Sequence, residues 1–308
     1  MILAKQSRLY FYRDIPLYIA TSDGRHVLYK KPGVTLAEMR VTDGLHPTQL
    51  YIDEQDKLPA LREAQAAFNH QLADNINAGD MPAVKQTLID VIDETFAEPR
   101  AGSLEGLSET AAIMLEHFAE TPQALIGLAG VSFNDYSTAL HSVNTMAFAV
   151  TYCIFHETSL EYAEELSLTA LLHDVGKTQI PSDILAAPRK LTDEEFEIMK
   201  THAVVGYGLL TNSRLYPHDV CLGALEHHER LDGSGYPYGN TDLSFSGKLL
   251  SLIDCYEAIT NDDRPYRSAA EPFDALSLMK REVIAGKLDR SIFEKFAQCL
   301  TLDYRGAN

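Results

Sequence analysis

Residues 168–177 read Leu168-Thr169-Ala170-Leu171-Leu172-His173-Asp174-Val175-Gly176-Lys177. An apolar helix closes here on two good metal ligands, and Val175-Gly176-Lys177 then turns the chain sharply. Neighbouring ligands at one helix end can bind one ion or bridge two. Beyond Thr121-Pro122 almost everything else also reads as helix. The expected spans are roughly Asn134–Phe155, Glu161–His173, Thr192–Asn212, His218–Glu229, Ser246–Asn261, Pro272–Ile284 and Arg290–Leu300. Thr192 with Glu195 forms a capping box, and Pro272 stands near a helix start, where a missing N–H costs little. With no strand expected in this part, a helical bundle is the natural architecture.

A second chemical stretch is His227-His228-Glu229-Arg230-Leu231-Asp232-Gly233-Ser234-Gly235-Tyr236-Pro237. Adjacent histidines end a helix, and two glycines and a proline keep the following loop out of helical conformation. The pair shares a metal only if the helix end faces the ion. His202 and His141 lie on other helices, each among apolar residues, where a single histidine is more often a hydrogen-bonded core residue than a ligand.

Taken together, the ordered set His141, His173-Asp174, His202, His227-His228, Asp254 resembles the HD-GYP family within the HD phosphohydrolase superfamily. Its HDxGK element is His173 to Lys177 and its HHExxDGxGYP element is His227 to Pro237. The closing element is Asp254-Cys255-Tyr256-Glu257-Ala258 with Arg264-Pro265-Tyr266-Arg267. The resemblance covers about residues 125–300. It implies a cyclic di-GMP phosphodiesterase that yields linear pGpG and then GMP. His141, His173, Asp174 and Asp254 would hold one metal, with Asp174 bridging to a second held by His202, His227 and His228. A mixed imidazole and carboxylate set with open positions suits iron or manganese better than a closed tetrahedral zinc site, although ligand type alone also admits zinc. Two divalent ions would lower the pKa of a bridging water, so that hydroxide attacks phosphorus in line. Asp174 and Lys177 are thus the catalytic candidates, Lys177 touching the scissile phosphate or the leaving oxygen. Lys177, Tyr236, Arg264 and Arg267 are the candidate substrate contacts, the arginines by bidentate bonds to a phosphate or a guanine edge. Members with a third metal carry an acid four residues before the first histidine. Ser137 stands there in this chain and Asp135 is out of phase, so a binuclear site is expected. Glu257 replaces a common aspartate and is expected to support a ligand.

The remaining sequence limits the alternatives. The 308 residues suit two domains. With 26 Lys plus Arg against 44 Asp plus Glu the net charge is −18, which repels polymeric nucleic acid. Cys153, Cys221, Cys255 and Cys299 form no CxxC pair, and no apolar run is long enough for a signal or membrane span. The expectation is a cytoplasmic protein without membrane contact. Residues 1–120 read as a small β-containing domain, β-rich to about 55 and then helical, and 121–308 as the all-helical catalytic domain. Leu17–Ala20 and His26–Lys30 are strands around the hairpin turn Ser22-Asp23-Gly24. Thr35–Arg40 reads as a short helix and Gln49–Ile52 as another strand. Helical spacing then runs through Leu61, Ala64, Phe68 and Leu72, and again from Val84 to Ile92. It is broken at Gly79-Asp80-Met81-Pro82 and at Pro99–Ser103. This part would regulate the catalytic domain, dimerise it, or bind a signalling partner. A catalytically inert cyclic-dinucleotide receptor or protein-interaction module is the competing functional class.

Overall fold

In the computed structural model, residues 1–5, 8–39, 45–97, 99, 103–131, 137–261 and 270–301 are described. The segment up to Ile52 builds a four-stranded antiparallel sheet in the order β1-β4-β2-β3, from β1 (Ile2–Leu3), β2 (Leu17–Ala20), β3 (His26–Lys30) and β4 (Tyr51–Ile52). The β2–β3 hairpin closes where Gly24 takes φ 79°, a left-handed value that glycine adopts without strain. Ala20 pairs with His26 and Leu17 with Lys30, with an irregularity between Leu17 and Tyr18. The helix expected over Thr35–Arg40 is instead a single turn up to Met39, and Arg40 lies outside the described residues. Glu38 accepts from the Thr35 N–H at 2.8 Å and from Arg13 at 3.2 Å, so local polar groups are satisfied without propagating a helix.

Helices follow in sequence as α1 (Lys57–Ala78), α2 (Met81–Ala97), α3 (Leu107–Phe118), α4 (Pro122–Ala129), α5 (Thr138–Phe155) and α6 (Leu160–Leu172). After them come α7 (Ser182–Leu185), α8 (Asp193–Ser213), α9 (His218–Glu226), α10 (Phe245–Thr260), α11 (Pro272–Ile284) and α12 (Arg290–Thr301). Among the described residues no strand follows Ile52. Gly79 at φ 70° ends α1, and the Thr192–Glu195 capping box opens α8. The α9 helix stops at Glu226, three residues short of the expected end, because the Glu229 N–H turns back onto the Glu226 carbonyl at 2.8 Å.

One hydrophobic cluster runs from Ala4 to Cys299, and α5 lies at its centre, buried from Ala139 to Cys153. Its Leu, Val, Met and Phe side chains each contribute about 1.5–3 kcal/mol by burial. Buried hydroxyls cost little there: Thr145 donates to the His141 carbonyl and Thr151 to that of Ala147, both at 2.8 Å. α5 packs against α4, α6 and α10, and α2 of the N-terminal part leans on it as well. Lys85 of α2 donates to the carbonyls of Ala129 and Val131 at the end of α4. Among the described residues the four cysteines are unpaired with one another, and no helix is long and apolar enough to cross a membrane.

Gly223 sets the approach of α9 to α6, since a Cβ there would lie 2.0 Å from Thr169 Cγ2. Gly223→Ala is expected to cost about 1–3 kcal/mol by overpacking. Thermal unfolding of the single variant against Gly223→Ala/Thr169→Ser checks this, because serine removes the obstructing methyl and restores the melting temperature.

Candidate metal centre

Five elements converge on one buried point. His141 sits in the first turn of α5, whose N-cap Ser137 accepts from the Leu140 N–H at 3.1 Å. His173 caps α6, and Asp174 leads into a tight turn over Val175–Gln179. His202 comes from mid-α8, His227 and His228 from the end of α9, and Asp254 from α10. Except for the partly exposed His228, all are buried. The tight turn comes so close to α8 that a Cβ on Gly176 would meet the His202 carbonyl oxygen at 1.9 Å. That contact brings His173 and Asp174 beside His202.

The carboxylate of Asp174 lies between two groups of imidazoles. Its Oδ2 is 3.4 Å from His173 Nε2 and 3.5 Å from His141 Nε2, while Oδ1 is 3.4 Å from His202 Nε2 and 3.8 Å from His227 Nε2. Asp254 Oδ1 is 3.1 Å from His141 Nε2, and its Oδ2 is 3.7 Å from His228 Nδ1. Donor atoms of His141, His173 and Asp174 lie within 4.8 Å of one another, as do those of His202, His227 and His228.

Backbone carbonyls set the ring orientations. His173 Nδ1 is 2.8 Å from the Ala170 oxygen, His202 Nδ1 is 2.6 Å from that of Met199, and His227 Nδ1 is 3.2 Å from that of Gly223. Each Nδ1–H donates outward, which leaves a bare Nε2 lone pair facing the centre. The Nε2 atoms of His202 and His227 then oppose each other at 3.2 Å, and Asp174 Oδ1 is buried with no hydrogen-bond donor. Facing lone pairs and an orphaned carboxylate oxygen repel one another without a cation between them. Donor type, burial and orientation therefore all fit divalent metal ions.

The electrostatics agree. Burial holds His227 well below the usual imidazole range, lowers His202 and takes His228 down to about 3, so these rings stay neutral. Burial opposes the charge on Asp174, but the Lys177 ammonium at 2.5 Å and nearby imidazoles hold its carboxyl well below the carboxylate range. His141 behaves differently: burial lowers it, yet Glu257 and Asp254 outweigh burial and push it up to about 10. A metal held at its Nε2 would take the place of that proton.

Support for the ligands comes from Glu257, expected in that role, and from Glu229, which the motif reading left without one. Glu257, 1% exposed, places Oε2 at 2.6 Å from His141 Nδ1 and accepts from Asn144 and Asn261 on Oε1. Glu229 accepts the N–H groups of Tyr238 and Asn240 at 2.8 and 3.1 Å and so folds the glycine-rich loop back over the end of α9. Gly235 permits this, because a Cβ there would fall 2.5 Å from the His228 carbonyl oxygen. Tyr236 is thereby laid on His228, ring centroids 4.6 Å apart, with Lys200 Nζ 5.9 Å from its own ring. Lys177 reaches Asp174 in this structure, whereas Arg264, Arg267 and Asp135 lie outside the described residues.

The model of the family described as the HD domain matches residues 107–292. The chain belongs to the HD domain family. The chain is 33% identical over 203 residues to a cyclic di-GMP phosphodiesterase of Pseudomonas aeruginosa, an alignment that covers 65% of this chain and 47% of that protein. It is 39% identical over 132 residues to a cyclic di-GMP phosphodiesterase of Thermotoga maritima, covering 41% and 34% of the two chains. It is also 34% identical over 139 residues to 3'3'-cGAMP-specific phosphodiesterase 1 of Vibrio cholerae, covering 44% and 32%. The chain therefore spans less than half the length of these relatives. A solved HDG"Y"P protein from Bdellovibrio bacteriovorus shares the fold with a TM-score of 0.65 at 17% identity, covering 98% of this chain and 99% of that one.

Proposed function

We propose that this HD domain is a metal-dependent phosphodiesterase that linearises cyclic di-GMP to pGpG and carries the product on to GMP. The observation that carries the reading is Asp174, a buried carboxylate with one oxygen toward each of two imidazole groups. His141, His173, Asp174 and Asp254 would hold one ion, and His202, His227 and His228, with Asp174, a second. Iron or manganese suits this donor set best. Two such ions supply a water activated near neutral pH and neutralise charge on the phosphate.

The protein's own groups orient the reaction. Glu257 and the three backbone carbonyls fix the imidazole tautomers, and the apolar walls of α5, α6 and α10 keep bulk water away. Lys177, tied to Asp174, is the cation beside the reacting phosphate and balances charge on the leaving oxygen. Tyr236, Arg264 and Arg267 would contact the rest of the substrate. The names of the Pseudomonas and Thermotoga relatives support the substrate. Residues before about 120 would position or regulate the catalytic part in a cytoplasmic enzyme.

The test is anaerobic purification, elemental analysis, and chromatography of cyclic di-GMP incubated with the protein before and after chelation. Roughly two ions per chain and a linear product that chelation abolishes are expected. Saturating metal with tight nucleotide binding and no product would leave a receptor.

A further inference from the structure

His228 is the ligand that solvent reaches most easily. Its side chain is 21% exposed, against 11% for Asp254 and 2% or less for His141, His173, Asp174, His202 and His227. Tyr236 covers it. The Tyr236 N–H donates to the His228 carbonyl at 3.2 Å, and the phenol ring lies over the imidazole with centroids 4.6 Å apart and planes inclined at 31°. That backbone bond fixes where the side chain starts, not where it points. Two side chains of α8 settle the direction. Phe196 meets the Tyr236 ring edge to face at 6.0 Å, and Lys200 places Nζ 5.9 Å from the centre of the same ring and 5.6 Å from that of Phe196. A cation at this range is attracted by the negative face of a ring. Lys200 is itself held, its ammonium paired with Glu197 at 2.5 Å on the preceding turn.

We infer that Lys200 is a positioning residue which, with Phe196, clamps Tyr236 over His228 as a shield and so keeps water and competing ligands from the outermost imidazole of its group. An imidazole leaves a cation by turning away and letting solvent take the freed nitrogen. A ring laid across it and held from behind hinders both steps. The clamp and the ligand group share an element, because α8 also carries His202, whose ring meets that of Tyr236 at 6.4 Å. One helix thus supplies a ligand of the group of His202, His227 and His228 and the restraint on its most exposed member. The inference rests on the geometry of the ligand groups and not on the identity of the substrate.

Diethyl pyrocarbonate, which acylates accessible neutral imidazoles, is applied to the metal-free full chain and its variants, and each histidine is followed by peptide mass spectrometry. Lys200→Met keeps the alkyl stem against the rings and removes the charge, so His228 is expected to react about threefold faster, the scale of one partly exposed cation–π contact. Tyr236→Leu removes the shield and is expected to accelerate His228 about tenfold. Lys200→Arg keeps a cation over the ring and stays at the wild-type rate. In a Tyr236→Leu background Lys200→Met should add nothing, since it acts through that ring. Loosening of α8 as a whole would expose His202 too, so an unchanged His202 rate separates positioning from a merely structural role. His70, 80% exposed in α1, calibrates the reagent. An unchanged His228 rate in Lys200→Met, the same gain without Tyr236, or acceleration at His202 overturns the proposal. Lys200→Met against Lys200→Arg carries the test even if Tyr236→Leu fails to fold. The footprint needs neither bound metal nor turnover, so its failure and that of the phosphodiesterase reading are told apart.

Discussion

In Asp174→Asn, manganese and iron are expected no longer to raise the melting temperature, and the proposed hydrolysis of cyclic di-GMP is expected to fall at least about 1,000-fold. The substitution keeps shape and removes one charge, which separates its electrostatic effect from packing. Asp174 is the residue within 3.8 Å of the Nε2 atoms of four histidines from four elements. An amide oxygen is a weaker ligand than a carboxylate, and the amide N–H₂ on the other side would face a bare imidazole instead of holding a cation. Metal binding at both ligand groups would therefore be weakened together. Two opposing effects act on the metal-free protein. Neutralising a buried carboxylate removes a desolvation cost, while Lys177 loses its partner. These nearly cancel, so the metal-free melting temperature stays close to wild type. Only the increment on adding metal disappears, because ligand stabilisation scales with affinity for the folded state. Differential scanning calorimetry with and without manganese reads both quantities. A variant that is still stabilised as strongly as wild type would show that Asp174 is not the shared ligand.

Much of this centre is legible in the sequence for a chemical reason. Each histidine alone reads as an ordinary core or surface residue, and it is the resemblance of the ordered set to the HD-GYP pattern, all of it good metal-ligand chemistry, that implies a cluster. The helices follow from apolar spacing, and their boundaries hold to a few residues wherever a cap is local, as at Thr192 and Gly79. What the sequence hides is long-range. The Thr35–Arg40 segment looks helical, but its fate depends on Arg13. β1 exists because Ile2 pairs with Ile52, fifty residues away. Glu257 is expected to support a ligand but its partner His141 lies 116 residues away, and Glu229 has no assigned role because the Tyr238–Asn240 backbone that it holds lies across a loop. Ser137 identifies itself as an N-cap once α5 is seen to begin at Thr138. A cavity of about 340 Å³ has no sequence signal, because its walls come from α4, α5, α10 and the start of α11.

Gly176→Ala is expected to reduce hydrolysis about 100-fold without removing a ligand. Glycine is required here by proximity. Its backbone lies so near α8 that an added Cβ would sit 1.9 Å from the His202 carbonyl oxygen and 2.6 Å from the Gly206 nitrogen. Those are backbone atoms inside a long helix and cannot rotate away. The turn carrying Asp174 must retreat by on the order of 1 Å, and a displacement of that size costs about 100-fold when a reacting constellation depends on it. The retreat has a direction. It moves His173 and Asp174 together away from His202, so the group of His202, His227 and His228 loses its carboxylate, while His141 stays on α5. Metal content should therefore fall from both ions toward one, in contrast to Asp174→Asn, which weakens both. Gly206→Ala provides the graded control, because its Cβ would meet the Gly176 nitrogen at 3.3 Å and needs a shift of only tenths of an ångström. Its activity should lie between wild type and Gly176→Ala. Equal effects of the two alanines, or unchanged metal content in Gly176→Ala, would show that the close approach serves packing alone and does not set the distance between the two ligand groups.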